Sequence, residues 1–179
     1  MNRKLMERGV TLILKGMGLD LADPNYKDTP KRVAKMFEEM LTPAESRWAA
    51  FPAQQNDFII LRNHKVVALC PHHLQPVEIV ANVGYLPNKH VVGLSKLARV
   101  VEVQLDKPML QEDLADAIVN SLEAKIRPKG VGVVLVGVHG CMRYRGVESL
   151  GDVVTSVMRG VLLLNPVARA EFLQLIGRP

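Results

Sequence analysis

This chain of 179 residues has only two cysteines, few aromatic residues and no long uninterrupted apolar run. Because aromatic residues make up 4% of the chain, we expect no platform on which the bases of a single nucleic-acid strand could stack. Glu7, Arg8 and Lys15 interrupt the apolar residues near the N-terminus, so we expect neither a signal peptide nor a membrane span. These absences predict a cytoplasmic protein in a reducing compartment, which favours metal-bound over disulfide-bonded cysteine.

The length and composition predict a globular protein with a single domain. Hydrophobic residues account for 48% of the chain, which is enough to bury a core. The formal net charge of +5 is compatible with a nucleotide, a phosphate or a nucleic acid as ligand, and charge alone does not choose among them. We recognise no nucleic-acid-binding motif, so a basic nucleic-acid module is the weakest of these options.

The hydrophobic periodicity predicts an α+β fold rather than alternating βαβ units. Helices are expected over about residues 2–17, from 28–30 onward, over 93–103 and 111–126, and from 165–166 onward. Strands are expected at 58–61, 66–69, 77–85, 131–139 and 153–164. Residues 87–89 indicate a turn that would join the strand 77–85 to residues 90–92 as a hairpin.

Two short segments contain both cysteines and three of the five histidines: CPHH at 70–73 and HGC at 139–141. A catalytic zinc ion usually takes three thiolate or imidazole ligands and leaves a fourth position for water. Cys70, His73 and Cys141 supply that number of ligands. His72 and His139 would then remain available for proton transfer.

Other interpretations of the same residues stay open. The cysteines could form a disulfide, or each could pack as a small buried thiol. A closed structural zinc site would use His72 or His139 as a fourth ligand. If the strand predicted over 131–139 continues, Cys141 shares a face with His139, which would place a base beside a metal ligand.

Candidate polar residues also lie on two of the predicted helices. Arg32 and Lys35 are three residues apart on one helix, where they could be a solvated basic face. Gln111 and Glu112 fall in the first turn of another helix, where an acidic side chain complements the helix dipole.

Four blocks of the chain resemble the GTP cyclohydrolase I family. They are TPKRVAKM at 29–36, CPHHLQP at 70–76, GYLPNKHVVGLSKLARVVE at 84–102 and HGCMRYRGV at 139–147. The resemblance extends over about residues 29–176, and four such blocks in this order are a specific signal. Where this family usually has a glutamate between the first cysteine and the first histidine, the chain has Pro71.

The resemblance implies the tunnelling fold, in which an antiparallel sheet carries helices on one face. This core would occupy residues 57–179, with a helical region over residues 1–50 of the same domain. It also implies a ring-forming homo-oligomer, a decamer of two face-to-face pentamers, with active sites at the subunit junctions.

The resemblance also implies a role for each site residue. One zinc ion per chain would be held by Cys70, His73 and Cys141, and the catalytic residues would be His72, His139 and Ser95. The residues implied to bind GTP are Gln111 and Glu112 at the guanine, and Arg32, Lys35, Lys96, Arg99 and Arg145 at the triphosphate.

The implied activity is hydrolysis of GTP at C8, with release of formate and rearrangement to 7,8-dihydroneopterin triphosphate. This product would enter folate, biopterin or 7-deazaguanine synthesis. Two alternatives stay open: a related hydrolase that opens a purine nucleotide with altered specificity, and a non-catalytic ligand-binding ring of the same fold. Retention of both histidines argues against the non-catalytic ring, since binding alone needs no acid or base.

Overall fold

The structure, a computed structural model, describes residues 1–42, 48–54 and 56–177. The helices are α1 (Arg3–Gly16), α2 (Thr29–Met40), α3 (Leu94–Glu102), α4 (Gln111–Ile126), α5 (Gly140–Arg143), α6 (Val161–Leu164) and α7 (Pro166–Ile176). The strands are β1 (Ala50–Pro52), β2 (Ile59–Leu69), β3 (Pro76–Leu86), β4 (His90–Val92), β5 (Gly130–His139) and β6 (Val153–Gly160). The α+β class predicted from the sequence is confirmed. Among the described residues, none of the helices combines the length and apolar character that crossing a membrane would require.

The chain divides after residue 42 into two compact units. In the first unit, Asn2 caps α1 because its side-chain oxygen accepts a hydrogen bond from the backbone N–H of Leu5 at 3.0 Å. Arg3 of α1 forms an ion pair with Glu38 of α2 at 3.5 Å. This unit is therefore a pair of packed helices.

The second unit contains an antiparallel sheet in the order β2-β3-β5-β6. The runs predicted at 58–61 and 66–69 belong to one strand, β2, whose pairing with β3 is irregular between Leu61 and His64. Asn63 lies in this irregularity with a φ of 55°, and its N–H donates to the buried Asn82 side chain at 3.0 Å. The hydrogen bond compensates for the local break in the ladder, which is why two short runs can form one strand.

The predicted hairpin between residues 77–85 and 90–92 is wrong. β4 pairs instead with β1 in a separate two-stranded sheet, with Phe51 opposite Val91. The hydroxyl of the fully buried Tyr85 accepts a hydrogen bond from the N–H of Val92 at 2.9 Å. This contact directs the chain after β3 away from the ladder of β3.

Helices α3 and α4 cover one face of the four-stranded sheet. α4 packs an apolar stripe against β5 and β6, and the whole stripe is buried: Leu114, Ile118, Leu122 and Ile126. The facing side chains of β5 alternate as the strand period requires, and all are buried: Val131, Val133 and Leu135.

The expectation of helices on a single face is wrong for α6 and α7, which lie against the opposite face. The Phe172 ring of α7 packs against Gly84 and Gly132, which are directly paired across β3 and β5. A Cβ at either glycine would lie 2.9 Å from a ring carbon of Phe172. The two glycines therefore create the space in which the ring is completely buried.

The strand predicted over 153–164 ends earlier than expected, at Gly160. This glycine has a φ of 60°, a backbone conformation that ends the strand. The conformation is strained for residues with a side chain, whereas glycine adopts it at little cost. Val161 then donates its N–H to the carbonyl of Lys129 at 2.9 Å and begins α6. The branched residues after Gly160 thus belong to a helical turn rather than to the strand.

Candidate metal centre and active site

The CPHH segment forms the turn between β2 and β3. The N–H of Cys70 donates to the carbonyl of Gln75, and the N–H of Leu74 donates to the carbonyl of Cys70, both at 2.9 Å. Leu74 has a φ of 53°, which is uncommon for a branched side chain. This tight reversal brings the side chains of Cys70 and His73 to the same end of the sheet.

Cys141 joins them from a different element. The strand continuation that would have placed Cys141 by parity is wrong, because β5 ends at His139 and Cys141 lies in the helical turn α5. Gly140 makes this change of direction possible: a Cβ there would lie 2.9 Å from the carbonyl oxygen of Pro76. Since Val77 pairs with His139, the end of β5 and the start of β3 are adjacent at this point.

The donor atoms of Cys70, His73 and Cys141 all lie within 4.8 Å of one another. Cys70 Sγ and His73 Nδ1 are 4.0 Å apart. Donor atoms of a tetrahedral zinc site are separated by about 3.5–3.8 Å, because the metal–ligand bonds measure about 2.0–2.3 Å. The three residues therefore fit a metal ion with displacements of about an ångström.

The two thiols are reduced and close together. Burial, and then the neighbouring Cys70, raise the pKa of the Cys141 thiol, while Arg145 acts in the opposite direction. Two adjacent thiolates are unfavourable without a compensating positive charge, and a divalent cation supplies that charge. The donor chemistry thus suits a thiolate-binding metal.

His139 is half-buried beside this group and is held by Gln111 of α4. His139 Nε2 lies 2.9 Å from Gln111 Oε1. Gln111 Nε2 donates on the opposite side to the carbonyls of Leu135 and Val153, at 3.3 and 2.9 Å. Partial burial lowers the pKa of His139, and the charge of Glu112 partly opposes this effect.

Both ends of the Gln111 side-chain amide are thus engaged inside the protein, a connection that the sequence analysis missed. Gly137 was missed as well, although the strand period places it on the face of His139. A Cβ at Gly137 would overlap Gln111 Oε1. A glycine two positions before a candidate catalytic histidine was the available signal.

A cavity of ≈ 250 Å³ opens between the end of the sheet and the start of α4. Its polar lining comes from predicted site residues: Cys70, His72, Gln111, Glu112, His139 and Cys141. Apolar side chains such as Met109 and Leu114 form the rest of the wall. Glu112 is exposed at the first turn of α4, whereas Gln111 is buried.

The predicted triphosphate cations and Ser95 do not line the cavity as most of the other predicted site residues do. Arg145 Nη1 lies 3.1 Å from His73 Nε2, at the edge of the metal group. Within a single chain, the cavity is not lined by Ser95, Lys96 or Arg99. Arg99 forms an ion pair with Glu102 at 3.8 Å.

Arg32 and Lys35 lie in the first unit, on the exposed surface of α2. Each has an acidic neighbour one turn away: Asp28 at 3.9 Å from Arg32, and Glu39 at 3.4 Å from Lys35. Such exposed pairs contribute about 0–1 kcal/mol, so both side chains can exchange partners at little cost.

The fold and the donor group define a class of protein: an α+β protein with a Cys-His-Cys group suited to a metal, beside a half-buried histidine at a cavity. The sequence profile of the GTP cyclohydrolase I family matches residues 6–177. The chain therefore belongs to the GTP cyclohydrolase I family.

Curated relatives agree with this assignment. GTP cyclohydrolase 1 of Carboxydothermus hydrogenoformans is 38% identical over 98% of this chain and 95% of the relative. The protein of the same name from Aquifex aeolicus is 38% identical over 98% and 97%, and that from Hydrogenobaculum is 39% identical over 97% and 96%.

Proposed function

We propose that this protein hydrolyses GTP at C8, releases that carbon as formate, and yields 7,8-dihydroneopterin triphosphate. The observation that carries the proposal is the convergence of Cys70, His73 and Cys141 beside His139 at one cavity. A donor set of this kind, in a chain of this family, suits hydrolytic chemistry on a purine. The reducing cytoplasm is the compartment we propose, because it keeps both thiols available.

The metal that we propose is one zinc ion per chain, held by Cys70, His73 and Cys141. When bound, it supplies a Lewis acid that makes water a strong nucleophile near neutral pH. Two thiolates and one imidazole are ligands that zinc accepts, and three protein ligands leave a position for water.

Proton transfer is the role that we propose for His72 and His139. Opening the imidazole ring of guanine and releasing formate require protons at ring nitrogens and at the ribose oxygen. Both side chains line the cavity, and in the sequence His72 directly precedes His73 while His139 lies two residues before Cys141. The lowered pKa of His139 favours the neutral ring, which can accept a proton.

Glu112 is proposed to bind the guanine edge, because a carboxylate can accept from two N–H groups and this one faces the cavity. Ser95 is proposed near the ribose, and the cations that we propose for the triphosphate are Arg32, Lys35, Lys96, Arg99 and Arg145. A cavity of ≈ 250 Å³ is small for a whole nucleotide. We infer that a neighbouring subunit completes the site.

A homodecameric ring is the assembly that we propose. Support comes from the second face of the sheet, which α6 and α7 cover only in part. There Val67 and Val154 remain 44% and 53% exposed. Size-exclusion chromatography with light scattering should give a mass near that of about ten chains, and a monodisperse monomer would contradict the ring.

Incubation of the purified, zinc-loaded protein with GTP tests the activity. We expect stoichiometric formate and, after oxidation, a fluorescent pterin. Formate without a pterin would instead identify a ring-opening hydrolase that stops early, which the proline at position 71 makes worth testing. GTP binding without either product would identify a non-catalytic ring.

The triphosphate assignment can be tested separately with Arg145→Ala. Hydrogen bonds to charged groups contribute about 1.5–3 kcal/mol, so GTP affinity should fall about 10- to 100-fold. Guanosine lacks the triphosphate, and its affinity should change much less. An equal loss for both ligands would show that Arg145 has a structural role.

A further inference from the structure

The Gln111 amide has only one possible orientation. Gln111 is only 4% exposed, and one end of its amide faces the backbone carbonyls of Leu135 and Val153. Carbonyl oxygens only accept, so the NH₂ group must be the end that faces them. A third partner, Thr155 Oγ1 at 3.1 Å, lies on the same side. The carbonyl Oε1 is consequently the end directed at His139.

This orientation determines which nitrogen of His139 carries a proton. Gln111 Oε1 cannot donate, so the 2.9 Å contact is a hydrogen bond only if His139 Nε2 bears the hydrogen. In the neutral ring, Nδ1 then holds the lone pair. Nδ1 is therefore the one ring nitrogen of His139 that can accept a proton.

The backbone at Gly137 provides independent support, because it is shaped around this contact. The glycine lies on the same face of β5 as His139, and its Cα faces the amide. A Cβ there would overlap Gln111 Oε1 and would lie 3.2 Å from His139 Nε2. Any other residue at position 137 would displace the amide from the ring.

We propose that Gln111 is a positioning residue that holds His139 in the Nε2-protonated tautomer, with Nδ1 as the proton acceptor, in a space created by Gly137. This role differs from the contact with guanine predicted from the sequence. It acts through His139, and its catalytic consequence rests on the proposed function.

A spectroscopic experiment tests the tautomer without substrate. The zinc-loaded protein is labelled with ¹³C and ¹⁵N in histidine, and solid-state correlation spectra assign the protonated nitrogen of each neutral ring. The His139 signals are identified by their loss in His139→Gln. We expect His139 to be protonated at Nε2 only, and a dominant Nδ1–H form in the wild type would overturn the proposal.

Gln111→Met keeps the volume of the side chain and removes its polar atoms. His139 should then populate both tautomers. The matched control is Gln104→Met, because Gln104 Nε2 donates to the carbonyl of Val100 and has no contact with His139. The control should leave the His139 spectrum unchanged, and an unchanged spectrum in Gln111→Met would refute the positioning role.

Kinetics separate positioning from substrate binding. Losing a hydrogen bond to a charged imidazolium corresponds to a decrease in kcat of about 10- to 100-fold. KM for GTP should stay within about threefold, because no contact with the substrate is removed. A raised KM with unchanged kcat would identify Gln111 as a guanine-binding residue and overturn the proposal.

Gly137→Ala provides a second route if Gln111→Met does not fold. This variant retains every polar group and displaces the amide, so the same change in the His139 tautomer is expected. If the wild type released no formate from GTP, the proposed function would fail. The spectra would still decide the positioning role, since they require no substrate.

Discussion

Gly132 and Gly137 lie on opposite faces of β5, and each admits a side chain from a helix. The side chain that packs against Gly132 is the aromatic ring of Phe172, which is fully buried among apolar neighbours. The side chain that packs against Gly137 is the amide of Gln111, which is buried among hydrogen-bonding groups. The same backbone device therefore supports a hydrophobic core on one face and a polar network on the other.

The difference lies in what burial contributes. Burying an aromatic ring stabilises the folded protein, because apolar surface is removed from water. Burying an amide adds little to the net stability of the folded protein, because its hydrogen bonds in the protein replace those it made with water. What the Gln111 network provides instead is a fixed orientation for His139. We therefore expect changes at the metal-binding end to affect metal content or turnover, and changes around Phe172 to affect stability.

The largest expected effect is that of Cys141→Ser. A serine hydroxyl is a poor zinc ligand, so the variant should lose both bound metal and turnover. Elemental analysis and the formate assay measure the two losses. Tyr144→Phe is the control, because Tyr144 follows the same helical turn, caps it only through its backbone N–H, and is 71% exposed. Unchanged zinc in Cys141→Ser would disprove the ligand assignment.

The next largest effect is expected for the two histidines. His72→Ala and His139→Ala should each retain zinc and lose about 10²–10⁴-fold in kcat, the usual contribution of general acid–base catalysis. His90→Ala, at the exposed first residue of β4, should retain both zinc and activity. Loss of zinc in either of the first two variants would show that the histidine is a metal ligand.

Much of the fold could be predicted from the sequence because it is recorded in local patterns. The apolar stripe of α4 and the alternation in β5 repeat at the periods of a helix and a strand. The partner of β4 could not be predicted this way. A nearby turn suggested β3, whereas the hydrogen bond from Val92 to the buried Tyr85 hydroxyl is a tertiary contact with no sequence period.

In the candidate site, too, local sequence patterns predicted some features, whereas others depend on tertiary contacts. Residue type and spacing led to Cys70, His73 and Cys141, which the structure brings together. The strand parity proposed for Cys141 failed because Gly140 turns the chain into a helix. The role of Gln111 depends on carbonyls from two strands, and no spacing rule connects them with α4.

Phe172→Ala should reduce stability on the other face of the sheet. Replacing a buried phenylalanine by alanine costs about 3–5 kcal/mol. Urea unfolding at equal protein concentrations measures this loss, since assembly would make stability concentration-dependent. Leu173→Ala is the control, with a smaller loss expected because Leu173 is 40% exposed. Zinc content should be normal in folded Phe172→Ala, and reduced zinc would contradict the separation of the two faces.

Gly132→Ala should have the smallest effect. Its new methyl group would lie 2.9 Å from both Leu162 Cδ2 and Phe172 Cε1, and overpacking of this kind costs about 1–3 kcal/mol. Alanine recovers about 0.5–1 kcal/mol of that cost, because glycine loses more conformational entropy on folding. The His139 tautomer should not change, in contrast to Gly137→Ala.

A double-mutant cycle with Phe172→Leu sharpens this last comparison. The shorter side chain lacks the ring carbons that the methyl group would meet, so Gly132→Ala should cost less in that background. Residues in direct contact show coupling of about 0.5–3 kcal/mol, whereas independent sites add. Urea unfolding of the four proteins gives the coupling energy. Simple additivity would mean that Gly132 does not accommodate the ring. Gly132 would then share with Gly137 only its position facing a helix side chain, without an energetic coupling to that side chain.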